Sequence, residues 1–397
     1  MNRRTNNLTY EQTPLIKTKI CNLEVNFISK QGLPNWNIVT PSQTLIAQEV
    51  KLSPGDRTLW LGCGHGASAV YLSVVNEKSE LWVHDQNFIA LKMLKQNLLS
   101  NSLENIHLHP QIELCDPEIG NFDNVIIDLP KGRQLFRRWL MQAWEALRSG
   151  GHFYLAGPND QGIQSVIKDA QTVFGEYAIL GYKKGCRIAR FSKTQYVLNG
   201  ADWLNQPGIR PHSWATVDFL LNDIRFQLFS LPGIFSYDHL DPGTRLLLEN
   251  VEISNDAVIL DVGCGYGVIG IYSALTGANR VDLVDSNLLA IAAAQKNVKK
   301  YELNHINVIA SDVLSEVQDQ RYSLILTNPP FHAGKAVEYQ LAKAFIEQSY
   351  FHLLPHGRFV LVANQFIRYE KLMEPLFSEV NRIASADGYI LWQAIKS

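Results

Sequence analysis

Ile259-Leu-Asp-Val-Gly-Cys-Gly-Tyr-Gly267 is a short apolar run that passes through an acid and breaks into a glycine turn, and the stretch behind it, Val268–Leu275, has the make-up of a helix. Strand, glycine turn and helix in that order open a doubly wound α/β sheet. Working outward, Arg280–Asp285, Ile306–Ala310, Tyr322–Thr327 and Gly357–Ala363 are further apolar runs of the kind parallel strands need when both faces are covered. With Ala257–Val262 they alternate with helical patterns at Val268–Leu275, Leu288–Tyr301, Glu338–Leu354 and Tyr369–Phe377. Such a sheet takes its ligands at the carboxyl ends of its strands, which is where every chemically notable residue of this half falls.

The chain repeats this pattern. Thr58-Leu-Trp-Leu-Gly-Cys-Gly-His-Gly66 carries Gly62, Cys63, Gly64 and Gly66 where the later copy has Gly263, Cys264, Gly265 and Gly267, an offset of 201. Leu81–Asp85 matches Val281–Asp285, and Phe122–Asp128 matches Tyr322–Asn328, both at an offset of 200. Three landmarks in one order and register make a duplicated domain the economical reading. Two tandem Rossmann-like domains, 1–205 and 206–397, are therefore expected, with a seam near Asn205-Gln-Pro-Gly-Ile-Arg-Pro211. The 397-residue length suits two domains, and 46% hydrophobic against 19% charged residues suits folded cores.

The N-terminal stretch lacks the apolar core of a signal peptide, and no run of about 18 apolar residues occurs, so neither export nor membrane insertion is expected. Five scattered cysteines without a Cys-x-x-Cys pair indicate neither a disulfide framework nor a zinc site, and no metal is expected. A reducing cytoplasm fits best. The net charge of −2 argues, taken over the whole chain, against a strongly basic nucleic-acid binder.

In the C-terminal half the glycines of Asp261-Val-Gly-Cys-Gly-Tyr-Gly267 allow a tight turn and close approach of a ligand to the backbone. The spacing is not the Gly-x-Gly-x-x-Gly of dinucleotide sites. Asp285, closing the next strand, is placed to accept hydrogen bonds from two ribose hydroxyls, which suits NAD and S-adenosylmethionine equally. Thr327-Asn-Pro-Pro-Phe-His332, at the end of the fourth strand, separates them. Two prolines fix the backbone and hold the preceding carbonyls as acceptors. An aromatic amine is a poor nucleophile because its lone pair is delocalised; holding both its N–H groups on acceptors favours the pyramidal, reactive form. The Asn328 side-chain oxygen and the Pro329 carbonyl are candidate acceptors, and Phe331 a stacking surface for a base.

At these residues the sequence resembles the class I S-adenosylmethionine-dependent methyltransferases with an Asn-Pro-Pro-aromatic motif. The segment Leu231-Pro-Gly-Ile-Phe-Ser-Tyr-Asp-His-Leu-Asp-Pro-Gly-Thr-Arg-Leu-Leu-Leu248, the Phe331-His332 pair and the duplication narrow the resemblance to the RsmC and RlmG family of ribosomal RNA guanine-N2 methyltransferases. The resemblance implies that Asn328, Pro329, Pro330 and Phe331 form the catalytic motif, with Asn328 also among the cofactor contacts. It implies that Asp261 and the turn Gly263, Cys264, Gly265 and Gly267 face the methionine part of the cofactor. Asp285 and Ser286 would then face the ribose, Asp312 and Val313 the adenine, and Phe235 and Ser236 would belong to a segment closing over the cofactor. His332 matches the motif without an assigned step and is grouped with RNA contacts. The implied substrate is ribosomal RNA or a ribosomal subunit, 16S-type slightly before 23S-type, and the implied state a monomer whose two like domains form an internal pair.

The N-terminal copy reads differently. Asp128-Leu-Pro-Lys131 stands for Asn328-Pro-Pro-Phe331, and Trp60 for Asp261, so amine methylation is not expected there and cofactor binding is doubtful although Gly62–Gly66 and Asp85 survive. Positive charge takes the place of the chemistry: Lys131, Arg133, Arg137 and Arg138 lie among Phe136 and Trp139, and Lys183, Lys184, Arg187 and Arg190 suit a late hairpin. Up to residue 198 there are 21 basic and 17 acidic residues, and beyond it 15 and 21. A local basic face with interleaved aromatics is enough for RNA, so this half is expected to grip it. Motif chemistry alone also allows adenine-N6 or glutamine-N5 methylation. A catalytically inactive RNA-binding or assembly protein and a nicotinamide dehydrogenase are the competing classes.

Overall fold

The computed structural model describes residues 8–114, 121–194, 201–329 and 336–397, the last with side chains from Tyr339 onward. The chain divides into two units, one of residues 11–214 and one of residues 215–397 together with 1–10. The division falls at 214/215 rather than at the expected 205/206. Its physical reason is Arg138, whose guanidinium binds the carbonyls of Gly208 (2.9 Å), Arg210 (3.5 Å) and Ser213 (3.5 Å) and so ties the connecting segment to the first unit.

In the first unit the order is β1 Leu15–Ile20, β2 Leu23–Ile28, α1 Pro41–Glu49, β3 Arg57–Leu61, α2 Ala67–Val75, β4 Glu80–His84, α3 Phe88–Ser100 and β5 Ile106–Leu108. It continues with β6 Phe122–Asp128, α4 Arg133–Ala146, β7 Leu147–Pro158, α5 Ile163–Phe174, β8 Tyr177–Lys183 and β9 Cys186–Ser192. The second unit repeats the series: β10 Ala215–Leu221, β11 Ile224–Ser230, α6 Pro242–Asn250, β12 Val258–Val262, α7 Val268–Leu275, β13 Arg280–Asp285, α8 Leu288–Lys300 and β14 Ile306–Ala310. Then come β15 Tyr322–Thr327, α9 Ala336–His352, β16 Leu353–Asn364, α10 Glu370–Met373, β17 Glu379–Ala386 and β18 Tyr389–Ile395.

Among the described residues each unit holds a seven-stranded sheet and a separate antiparallel hairpin. The sheet orders are β5-β4-β3-β6-β7-β9-β8 and β14-β13-β12-β15-β16-β18-β17, the same topology twice. Tandem Rossmann-like domains are thus the fold. The first five strands of each sheet run parallel, and the last two are an antiparallel hairpin. The chain leaves β12 toward β13 on one side and returns to β15 on the other, so the sheet order reverses between β12 and β15 and opens a crevice at their carboxyl ends.

Local chemistry sets these elements. Asn287 caps α8 through a bond from the Leu289 N–H, and Asp241 caps α6 through one from the Thr244 N–H, with Pro242 as first helical residue. The strands expected from apolar runs in the C-terminal half form to within a residue except β16, which begins at Leu353 directly from α9, while β10, β11, β17 and β18 were not expected. The helix expected over Tyr369–Phe377 is only Glu370–Met373, because Phe377 turns in to stack on Phe359. The core of this unit combines Leu260, Ile325 and Phe359 of the sheet with Phe345 and Ile346 of α9. Among the described residues no helix is long and apolar enough to cross a membrane, and no group of three or more metal-ligating side chains is gathered.

Candidate active site and its filled counterpart

At the end of β12 Asp261 is fully buried. Its Oδ2 accepts the Gly270 N–H at 3.0 Å from the first turns of α7, whereas Oδ1 has no hydrogen-bond partner. Burial pushes this carboxyl up to about 8 against the bond from Gly270, and the neighbouring Asp285 adds to the rise. A buried carboxylate oxygen without a donor costs free energy until a cation or donor meets it. The turn that follows leaves room for such a group: Gly263 has φ +75 and nothing within 4 Å of the position its Cβ would occupy. Asp285 is held by two backbone donors, Gly265 N–H at 2.9 Å and Asn287 N–H at 2.8 Å, so its carboxylate is fixed beside the turn.

Asn328 stands across the crevice at the end of β15. Its Nδ2 donates to Asp241 Oδ2 and to Thr244 Oγ1, both at 2.8 Å. Because an ionised carboxylate only accepts, these bonds set which end of the amide is nitrogen and present Oδ1 as an acceptor. Asp241 is itself anchored by the Thr244 N–H at 2.9 Å and by the Tyr389 hydroxyl at 3.5 Å. The Thr327 hydroxyl bonds the Val262 carbonyl at 2.7 Å and joins the two strand ends. Pro329 is buried, while Pro330, Phe331 and His332 lie outside the described residues.

The remaining cofactor candidates border the same crevice. The Leu231–Tyr237 segment crosses the glycine turn: Ile234 lies 3.9 Å from a Cβ built on Gly265, and the Asn287 amide binds the Gly233 carbonyl at 2.8 Å. Phe235 is exposed and Ser236 has φ +47. Asp312 and Val313 follow β14, both buried, and Val313 holds φ +52, an outlying conformation for a β-branched residue. Cys264 is buried, its thiol pushed well above the usual range by burial, which suits packing rather than chemistry. Ser286 lies half-buried at the start of the α8 cap.

The first unit has the same backbone turn but no room. A Cβ on Gly62 would meet the Asp128 carbonyl at 2.9 Å and the Trp139 ring at 3.2 Å, so the α4 indole fills the space that is open beside Gly263. Trp60, fully buried, stands where Asp261 does, and its indole N–H has no partner. Asp85 keeps the geometry of Asp285, with Gly64 N–H at 3.0 Å and Asn87 N–H at 2.9 Å. Asp128, in place of Asn328, takes the Ser42 hydroxyl and is pushed up to about 7 by burial.

The expected basic face divides. Arg138 is withdrawn as an RNA contact: it is fully buried and paired with Glu113 at 2.6 Å. Arg133 and Arg137 share one carboxylate, Asp169, at 2.7 and 3.0 Å, so one of their two charges is balanced and Arg133 stays half exposed. Helical periodicity turned Arg138 inward, a fate that the buried neighbours Phe136 and Trp139 could have signalled. Lys131 is exposed. The hairpin expected around Lys183 forms as β8–β9; there Lys184 is exposed, Lys183 reaches Gln48, and Arg187 lies over the exposed Tyr182 ring at 5.2 Å. Sequence reasoning assigned nothing to Asp241 or Thr244, although Asp-Pro-Gly-Thr is a readable helix start.

The family described as the methyltransferase small domain matches residues 24–190 and again 225–393. The ribosomal RNA small subunit methyltransferase C of Psychromonas ingrahamii is 35% identical over 263 residues, 65% of this chain and 72% of that protein. Its namesake from Pseudoalteromonas atlantica is 28% identical over 356 residues, 88% of this chain and 97% of that one. A solved structure of a T. thermophilus 16S rRNA N2 guanine methyltransferase, RsmC, in complex with AdoMet and guanosine, superposes with a TM-score of 0.81 at 26% identity, covering 98% of this chain and all of that one.

Proposed function

Because the chain belongs to the RsmC-like S-adenosylmethionine-dependent ribosomal RNA methyltransferases, we propose that it methylates the exocyclic N2 amine of a guanine in the RNA of the small ribosomal subunit. The observation that carries this reading is the amide of Asn328, held by Asp241 and Thr244 so that its oxygen is an acceptor beside an open glycine turn. The small-subunit substrate is supported by the names of the relatives, and the guanine by the ligand of the T. thermophilus enzyme.

S-adenosylmethionine, when bound, supplies an electrophilic methyl group on a sulfonium sulfur. The residues fit it: the unpartnered Asp261 Oδ1 suits the ammonium of its methionine part, Asp285 the ribose hydroxyls and Asp312 the adenine amine. On the other side, Asn328 Oδ1 and the Pro329 carbonyl receive the two N–H groups of the guanine amine and draw its lone pair out of the ring. The positioning is the catalysis: the amine is held in line, in a geometry that solution rarely offers. The base must leave its stack to reach this crevice. The test is mass-spectrometric mapping of small-subunit RNA from cells lacking the protein; the expected result is one N2-methylguanosine lost, and a complete set of these nucleosides overturns the reading.

Two further expectations belong to the first unit. With Trp139 in the pocket and Trp60 in place of the acid, calorimetry should titrate one S-adenosylmethionine per chain; two would contradict the plugged counterpart. The first unit acts instead on RNA through the β8–β9 hairpin. Reversing Lys184 and Arg187 to Glu should weaken RNA binding uniformly across sequences and flatten the salt dependence by about 2 in log–log slope. Arg138→Ala should act through stability, by about 3 kcal/mol, because it strips a buried guanidinium from Glu113 and three carbonyls. A normal melting temperature for that variant with lost RNA affinity would reverse the assignment.

A further inference from the structure

Tyr10 belongs to the second unit although it precedes the first in the chain. Its side chain is 2% exposed and joins a cluster with Leu260, Val262, Val284, Val313 and Leu314. Val262 ends β12 and Val284 is the penultimate residue of β13, so the ring lies at the ligand edge of the sheet. From there its hydroxyl donates to Asp312 Oδ1 at 2.6 Å, a bond between groups 302 residues apart. That length is at the short end of ordinary O–H···O hydrogen bonds.

We propose that Tyr10 is a positioning residue of the adenine subsite, fixing Asp312 for the amine of the cofactor's base. The proposal rests on the reading of Asp312 given above. The argument is one of geometry. An aspartate after a strand end can turn about two side-chain bonds, and a carboxylate accepts more than one hydrogen bond. A donor fixed in the core holds one oxygen in place and thereby orients the whole group, without using up its capacity to accept. The ring of Tyr10 is immobilised by the apolar cluster, so its hydroxyl is such a fixed donor. The neighbouring Val313, in its left-handed conformation, sets the backbone of the same corner. On this reading Tyr10 is part of the cofactor site of the second unit.

The test is Tyr10→Phe in the full chain, which keeps the ring in its cluster and removes only the donor. Two probes are titrated by calorimetry: S-adenosylhomocysteine, and S-inosylhomocysteine, whose base carries an oxygen in place of the amine. A melting curve runs alongside. The expected result is about a tenfold rise in Kd for the adenosyl compound, little change for the inosyl compound, and so a loss of discrimination between them. Equal changes for both compounds, or none for either, would overturn the proposal, since a merely structural tyrosine affects the two alike whether or not the fold weakens. Asp312→Asn separates this from the underlying reading. If that variant still discriminates fully between the two compounds, Asp312 does not read the amine; if it loses discrimination while Tyr10→Phe does not, only the role of Tyr10 fails.

Discussion

Asn328→Ala is expected to lower kcat by about 100- to 1,000-fold, in the range found when one preorganised polar group is removed from a reaction centre. The dissociation constant of S-adenosylmethionine should change by less than about twofold. The two readouts separate because the amide stands at the end of β15, whereas the acids proposed to meet the cofactor stand at β12 and β13. Asp241→Ala tests how the amide is aimed. It removes an acceptor of Asn328 Nδ2 and frees the amide to turn its N–H groups toward the crevice, where they would repel the N–H groups of the substrate. The expected loss in kcat is again large, accompanied by a modest fall in stability of about 1 kcal/mol from the lost α6 cap. Full activity in Asn328→Ala would remove the amide from the mechanism. Full activity in Asp241→Ala alone would leave the amide in place and remove only its support.

Asp261→Asn is expected to weaken S-adenosylmethionine binding by about 10- to 100-fold, the worth of one charge-assisted bond in a buried site. The same change should stabilise the cofactor-free protein. The carboxyl is raised from an ordinary value near 3.8 to about 8 in the fold. Between those limits the native state binds the proton that the unfolded chain has released, so stability falls as pH rises through that window. The amide carries no charge and escapes this cost. Melting curves of the cofactor-free proteins should therefore coincide near pH 4 and separate in favour of the variant toward pH 8, while calorimetry at a fixed pH shows weaker binding. A variant that melts lower than the parent at pH 8 would mean that the ionised acid is already satisfied in the empty pocket. A site that keeps a destabilising acid because its ligand requires one accounts for both signs.

Most of the C-terminal sheet was legible from its apolar runs, since parallel strands covered on both faces must be apolar along their length. The edge strand β17 was not, because Glu379–Ala386 has no buried residue and lacks that signature. In the site, the acids and the amide were legible by type and by their place at strand ends. Among the arginines of α4, Arg138 was misread for a different reason. Arg133, Arg137 and Arg138 share a basic stretch, but α4 carries Arg138 into a buried pair with Glu113 while Asp169 from α5 meets the other two. Their partners lie 25 to 36 positions away, outside any window a local pattern can use.

By itself, then, the sequence determined that one fold was used twice and that only the second copy kept Asp261 and Asn328, because repeats, strand periodicity and residue identity are properties of the chain read locally. Only the tertiary structure decided which glycine turn is open and which is filled by Trp139, which way the Asn328 amide points, and that Tyr10 serves the second unit rather than the first. Each of those outcomes depends on side chains brought together from distant positions. Space, hydrogen-bond direction and burial are set by what packs against a residue, and the chain order does not contain them until it has folded.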